Sequence, residues 1–249
     1  MNSRSMHATQ LGLLEQPSGS HPGWRVRASD RARRLTVRVY PGGHVEIVVP
    51  YGTRPRAVEK FVARYRSWID RKVSQYRPLA AGYDDEMPAE IRFQASGDCW
   101  RVDCVEAHHA PRLSVEGNRL LLTGDLSRVA LARHALQRFT MRTAHSILVP
   151  QLERLAAESG LHFANAQIRR QRTRWGSCSR RGTISLNACL MFQPPDVVRY
   201  LLLHELAHTR HMNHSRRFWA LVEQLEPRWR ELDTRLSEGW REVPAWVLR

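Results

Sequence analysis

Lysine is nearly missing from this chain. Of 39 basic residues only Lys60 and Lys72 are lysine, so a general preference for arginine accounts for the +15 formal charge as readily as polyanion binding does. Apolar runs are short. None approaches the roughly 20 residues that cross a bilayer, and no membrane contact is expected. The N-terminus lacks a basic stretch followed by an apolar run and a small-residue cleavage site, so the expected location is cytoplasmic. Cysteine is sparse: Cys99, Cys104, Cys178 and Cys189 form no Cys-x-x-Cys pair. They read as free thiols packed in apolar surroundings. Internal repeats and low-complexity runs are absent.

What is present divides into a β-rich first half and a mixed second half, an α+β chain. Residues 1–30 have no sustained period and read as a loose tail. Alternation at Leu35, Val37 and Val39, a turn at Pro41-Gly42-Gly43, and alternation at Val45, Ile47 and Val49 predict a hairpin. Steps of three and four from Val58 to Val73 predict a helix over 55–76. A Pro-, Gly- and Asp-containing linker follows over 78–88. Short strands are predicted at 90–95, 99–105, 111–115 and 119–123, closing a β-rich region of 31–125. A helical pattern over 127–159 contains Pro150, which predicts a kink or break near Val149. Strands at 166–175 and 183–188 and helices at 195–210 and 214–236 complete a second domain of 126–240, leaving 241–249 as a tail.

The chemistry concentrates at His204-Glu205-Leu206-Ala207-His208. On a helix this spacing sets two imidazoles on one face, close enough to share a metal, with the glutamate placed to take a proton from a metal-bound water. With 12 histidines in the chain, chance supplies such a match at roughly the 3% level, so its setting matters. At about 100° per residue from Val197, Leu201 lies near 40° and Val198 near 100°, while His208, Glu205 and His204 lie near 20°, 80° and 340°. The ionisable triplet therefore shares the apolar face, where unpartnered polar groups cost several kcal/mol. The alternative is an ordinary core in which the histidines hydrogen-bond Glu205 or the backbone.

A catalytic zinc site needs a third protein ligand. On a continued helix His211 stands about 10.5 Å along the axis from His204, too far for a site that also uses His208. If the helix ends soon after His208, a turn at Met212-Asn213 returns His214, with Asn213 or Ser215 capping the next helix. His214 is then the third ligand, and His211 lies behind the site or beside the substrate.

His204-Glu205-x-x-His208 with His214-Ser215-x-x-Phe218-Trp219, preceded by Arg174-Trp175-Gly176-Ser177-Cys178-Ser179 and Gly182-Thr183-Ile184-Ser185-Leu186-Asn187, resembles the YgjP-like metallopeptidase family. The third histidine has the same offset in SprT-like and WLM metallopeptidases. The resemblance covers roughly residues 30–236. It implies a zincin-like catalytic domain over 126–240, one zinc ion held by His204, His208 and His214, Glu205 as catalytic acid and base, and a peptide or protein substrate.

Other groups are weighed against blander roles. Arg174, Tyr200, Trp175, Asn187 and His211 are candidates behind the metal or on the substrate side; for an oxyanion, Arg174, Tyr200, His211 and Arg210 are all chemically capable. The Gly176–Gly182 hairpin packs on the active-site helix or offers an edge to an extended peptide. Cys178 lacks a separate histidine and acid to make it a nucleophile. Arg170, Arg172 and Arg174 would line one face of a strand over 166–175, as solvated charge or as a grip for phosphates. His108, His109, His134 and His145 read as structural or surface residues. Three functions stay open on this evidence: a zinc metallopeptidase, a basic nucleic-acid-associated protein with a structural metal or a peptidase acting near DNA, and a non-peptidase zinc hydrolase.

Overall fold

The computed structural model describes residues 24–40, 43–76 and 87–248. Helices and strands are mixed, and the chain forms two compact units, residues 1–77 and 78–249. Among the described residues no helix is long and apolar enough to cross a membrane.

In the first unit β1 (Trp24–Ser29), β2 (Thr36–Val39) and β3 (Val45–Pro50) form a sheet in the order β1-β3-β2, packed by α1 (Pro55–Tyr76). The β2–β3 pair is the expected hairpin, antiparallel with Val37 opposite Ile47; two residues of its turn, Pro41 and Gly42, lie outside the described residues. Val45, Ile47 and Val49 point to one face and bury there, as does Ile69 of α1. The expected loose tail is corrected by β1, which pairs in parallel with β3 from Trp24 to Ser29. Its Trp24, Val26 and Ala28 alternate with Arg25, Arg27 and Ser29, a short period-two signal that adjoins the Ser-, Gly- and Pro-containing N-terminal stretch. Residues 1–23 and all but the last two residues of the expected linker over 78–88 lie outside the described residues.

The second unit opens with β4 (Glu90–Phe93), β5 (Asp98–Glu106), β6 (Arg112–Glu116) and β7 (Arg119–Gly124), in the order β4-β5-β7-β6. The expected boundary at 125/126 is not where the units divide, because this sheet packs into the second half. Phe93 is fully buried, with its ring centroid 6.1 Å from Phe139 and 5.5 Å from Phe192, and Leu122 packs on Ala132 and Ala135. Apolar packing was expected at every cysteine. Cys189 is buried and Cys178 half-buried, but Cys99 and Cys104 lie exposed on β5, where only Val102 is buried.

Helix α2 (Val129–Ser159) runs unbroken through Pro150. Its buried residues Ala144, Leu148, Leu152 and Leu155 lie on both sides of the proline, and this packing outweighs one missing backbone bond. A second sheet follows, β8 (Asn165–Arg169), β9 (Gly176–Cys178) and β10 (Thr183–Asn187), in the order β8-β10-β9. The strand expected over 166–175 ends at Arg169, so Arg170, Arg172 and Arg174 lie in a loop and form no strand-face row.

After a 3-10 turn (Ala188–Phe192), α3 (Pro195–Arg210) fills the expected limits. The single helix expected over 214–236 is two, α4 (Arg216–Leu225) and α5 (Trp229–Glu238). Pro227 cannot donate the helical bond, and it forces Glu226 into an extended conformation at φ −147° and ψ 92°. The expected C-terminal tail packs instead of trailing: α6 (Ala245–Leu248) buries Val247, and the Trp246 carbonyl accepts from Gln137 Nε2 at 2.9 Å.

Phe93→Ala is expected to lower the stability of the whole second unit by about 3–5 kcal/mol, read by chemical denaturation with a probe in α3. A transition seen from α3 that is unchanged would show that the β4–β7 sheet is a separate module.

Candidate metal centre

Helix α3 packs against α2, α4, α5 and β9, and most of its length is buried. Pro195 opens it with a fixed φ. Asp196 in its first turn accepts from Arg235 of α5 at 2.6 and 3.2 Å, which clamps the two helices together. The helix ends where the His211 N–H bonds the Ala207 carbonyl and His211 turns extended. The chain then reverses through Met212-Asn213, and Ser215 caps α4 by accepting from the Phe218 N–H.

That reversal brings His214 back to the helix. One ring nitrogen from each of His204, His208 and His214 lies within 4.8 Å of the other two. The Nε2 atoms of His204 and His214 are 3.3 Å apart. Tetrahedral coordination at about 2.0–2.1 Å puts imidazole nitrogens roughly 3.3–3.4 Å apart, so this spacing fits a shared metal.

The rings are oriented from behind. His208 Nδ1 lies 3.1 Å from the His211 carbonyl oxygen, which only accepts, so Nδ1 carries the proton and Nε2 presents a lone pair. His204 Nδ1 lies 3.4 Å from the Tyr200 hydroxyl, which itself donates to Asp233 Oδ1 at 2.8 Å. The oxygen of Tyr200 is left to accept from His204 Nδ1–H, freeing His204 Nε2. Phe218 stacks on His208 at 4.4 Å between centroids, and Trp219 stacks on His214 at 5.5 Å.

Glu205 points into the protein and is only 4% exposed. Its Oε2 is buried without a hydrogen-bond partner, a costly arrangement that a cation and a water would relieve. Burial pushes its carboxyl up to about 8, with the Arg174 guanidinium pulling the other way. Burial, then the nearby His208 and His214, hold His204 down to about 3; burial and His214 also lower His208, against the pull of the His211 carbonyl. A neutral imidazole is the protonation state a metal requires, and His204 and His208 are both held towards it.

Strand β9 closes over the carboxyl. A Cβ on Gly176 would sit 2.6 Å from Glu205 Oε1, so only glycine lets the strand approach this closely. Asn187 is fully buried and holds the loop before β9: its Nδ2 donates to the Gln171 and Arg174 carbonyls at 2.7 Å each, and its Oδ1 accepts from the Cys189 N–H at 3.1 Å. All three of these side-chain hydrogen bonds go to the backbone.

Trp175 is likewise buried, stacked on Trp240 at 4.1 Å, and Tyr200 is buried with its hydroxyl committed to Asp233. With its proton already given to Asp233, the Tyr200 hydroxyl has none free for an oxyanion. His211 acts through its carbonyl, and its ring is outside the triad. Arg174 is exposed, with its charge felt at Glu205. Burial and then the Glu205 charge raise the half-buried Cys178 thiol to about 11, which makes it a poor nucleophile. His108, His109, His134 and His145 all lie on the surface.

Three imidazoles beside a buried carboxyl, on a helix covered by a sheet edge, are the equipment of a metal-dependent hydrolase. The chain belongs to the YgjP-like metallopeptidase family: the family model described as YgjP-like, metallopeptidase domain, matches residues 33–239. Its crystallographic neighbours include the metallopeptidase zymogen abylysin of Pyrococcus abyssi, 28% identical over 36% of this chain and 90% of that one, with a TM-score of 0.34. Among curated proteins none matches.

Two expectations follow from this geometry. The raised Glu205 stabilises the metal-free fold below its unfolded value of 4.5, and that contribution is lost as pH rises through about 8. The depressed His204 contributes above its unfolded value of 6.5, and that is lost as pH falls through about 3. Thermal denaturation of metal-free protein is therefore expected to show a decline from about pH 6.5 towards 8 that Glu205→Gln removes; a decline unaltered in the variant contradicts the buried carboxyl. Gly176→Ala is expected to reduce peptide turnover by at least about tenfold by displacing the Glu205 carboxyl while metal content stays near wild type, because the histidines are untouched. Wild-type turnover in Gly176→Ala would show that β9 does not set the position of Glu205.

Proposed function

We propose that this metallopeptidase is a zinc-dependent endopeptidase with a zincin-like catalytic domain, in which His204, His208 and His214 hold one zinc ion and Glu205 is the catalytic acid and base. The observation that carries the reading is the 4.8 Å cluster of three imidazole nitrogens together with the buried Glu205 carboxyl, whose Oε2 has no hydrogen-bond partner. Three nitrogen donors with a position left for water is the donor set of catalytic rather than structural zinc.

Bound zinc supplies a Lewis acid that polarises the scissile carbonyl, acidifies the attacking water and, as a cation beside Glu205, favours the carboxylate over the carboxyl. The protein's own groups do the rest. Glu205 accepts the proton of the attacking water and delivers it to the departing amine, a shuttle for which a carboxylate is suited in both directions. The absence of a Cβ at Gly176 keeps Glu205 in place, and the packing of α3 against β9 keeps bulk water from its carboxyl. Tyr200 with Asp233, and the His211 carbonyl, hold the His204 and His208 rings in the tautomer that leaves Nε2 free.

Among the described strands β9 pairs only with β10, in antiparallel register from Gly176 to Cys178. Its other edge offers backbone donors and acceptors to an extended peptide beside Glu205.

Protein purified without chelators is expected to contain about one zinc per chain and to cleave peptides. Glu205→Gln should keep the metal and lose roughly 10²–10⁴ in turnover; His208→Ala should lose metal and activity together. Metal-free wild-type protein, or a Glu205→Gln variant with wild-type turnover, contradicts the proposal.

A further inference from the structure

The positive charge of this chain is unevenly placed. Residues 1–77 hold 15 of its lysines and arginines against five acidic residues, and so supply ten of the fifteen net charges from less than a third of the length. A preference for arginine over lysine applies to both units alike. It does not explain why the first has so few acids.

On α1 the charges are also sorted around the helix. At about 100° per residue from Pro55, Val58, Val62, Ile69 and Val73 fall between about 300° and 0°, the side that packs on β2 and β3. Phe61, Tyr65, Trp68 and Lys72 follow between about 220° and 280°, and Lys60, Arg64 and Arg71 between about 140° and 180°. Both acids of the helix, Glu59 and Asp70, lie across the core side near 40° and 60°. Asp70 accepts from Arg66 at 3.0 Å.

The aromatic row is partly open. Tyr65 and Trp68 are each 38% exposed, Phe61 stands against Tyr65 with centroids 4.8 Å apart, and Arg64 Cζ lies 5.7 Å from the Tyr65 ring. Lys60, Arg64 and Arg71 are exposed and have no carboxylate partner among the described residues.

We propose that this face of α1 binds single-stranded nucleic acid. Phe61, Tyr65 and Trp68 give unpaired bases a surface to stack on, and Lys60, Arg64, Arg71 and Lys72 meet the phosphates. Three features favour this partner. The unpaired cations call for a polyanion. The aliphatic residues of the helix are turned to its sheet, so what is left beside the cations is planar rings, which suit stacking on bases rather than insertion among acyl chains. Stacking needs bases that are not already paired, which favours a single strand over a duplex. The inference does not rest on the peptidase reading, since none of these residues belongs to the metal centre.

The test uses full-length protein and a labelled single-stranded oligonucleotide, the matching duplex, and phosphatidylcholine vesicles containing phosphatidylserine, each at two salt concentrations. Single-strand binding is expected to exceed duplex binding and to weaken with salt. Replacing Lys60, Arg64 and Arg71 with Gln should reduce the slope of log affinity against log salt by about 2. Trp68→Ala should weaken binding roughly five- to a hundredfold with the slope retained, and Trp68→Phe should largely restore it. Circular dichroism melts and zinc content close to wild type show that the variants are folded. The proposal is overturned by binding to vesicles alone, by duplex binding equal to single-strand binding, or by affinities that these substitutions leave unchanged. Each of those results leaves the metal and turnover measurements on Glu205 unaffected.

Discussion

The second unit is organised around an electrostatic liability, a carboxyl and two imidazoles on the buried face of one helix. Taking such groups out of water costs several kcal/mol unless partners are supplied. Much of the surrounding structure supplies or arranges them. The reversal after α3 brings in the third imidazole, the Ser215 cap fixes where α4 starts, and Phe218 of α4 packs against His208. Tyr200 and Asp233 tie the orientation of His204 to the packing of α3 on α5, which the Asp196–Arg235 pair reinforces. Two of the rings are carried by α3 and the third by the short turn between α3 and α4, whose ends are fixed by the two helices.

The same liability explains the cover. Strand β9 lies against Glu205 at a distance that no side chain at position 176 would permit. The loop before it is pinned by Asn187, which donates to the Gln171 and Arg174 carbonyls. A carboxyl held in such surroundings is kept from bulk water and poised to exchange a proton, which is what general acid and base catalysis requires. Membership of the YgjP-like metallopeptidase family and the geometry of the three-histidine cluster agree.

The metal cluster was legible in the sequence because its signals are local. His204, Glu205 and His208 share a helical face, and His214 is ten residues from His204 across a turn that contains Asn213. The fold class and most element positions were legible for the same reason, as periodicities of two and of 3.6. What was hidden depends on long-range contact. Asp233 supports His204 through Tyr200 from 33 residues beyond it, and no spacing rule connects a single aspartate on α5 to α3. Gly176 reads as the end of a turn, and its steric role appears only once β9 is laid on Glu205. The β4–β7 sheet joins the second unit through Phe93, and the C-terminal residues dock through Val247; neither contact leaves a periodic signal. Pro227 is a local signal for the α4–α5 break, although the apolar pattern continues past it.

X-ray absorption at the zinc edge of protein carrying one equivalent of the metal tests the central claim most directly. Three imidazole nitrogens and one oxygen at about 2.0–2.1 Å are expected, falling to two imidazoles in His214→Ala. A sulfur ligand at about 2.3 Å, or a wild-type spectrum unchanged by His214→Ala, would contradict the three-histidine centre.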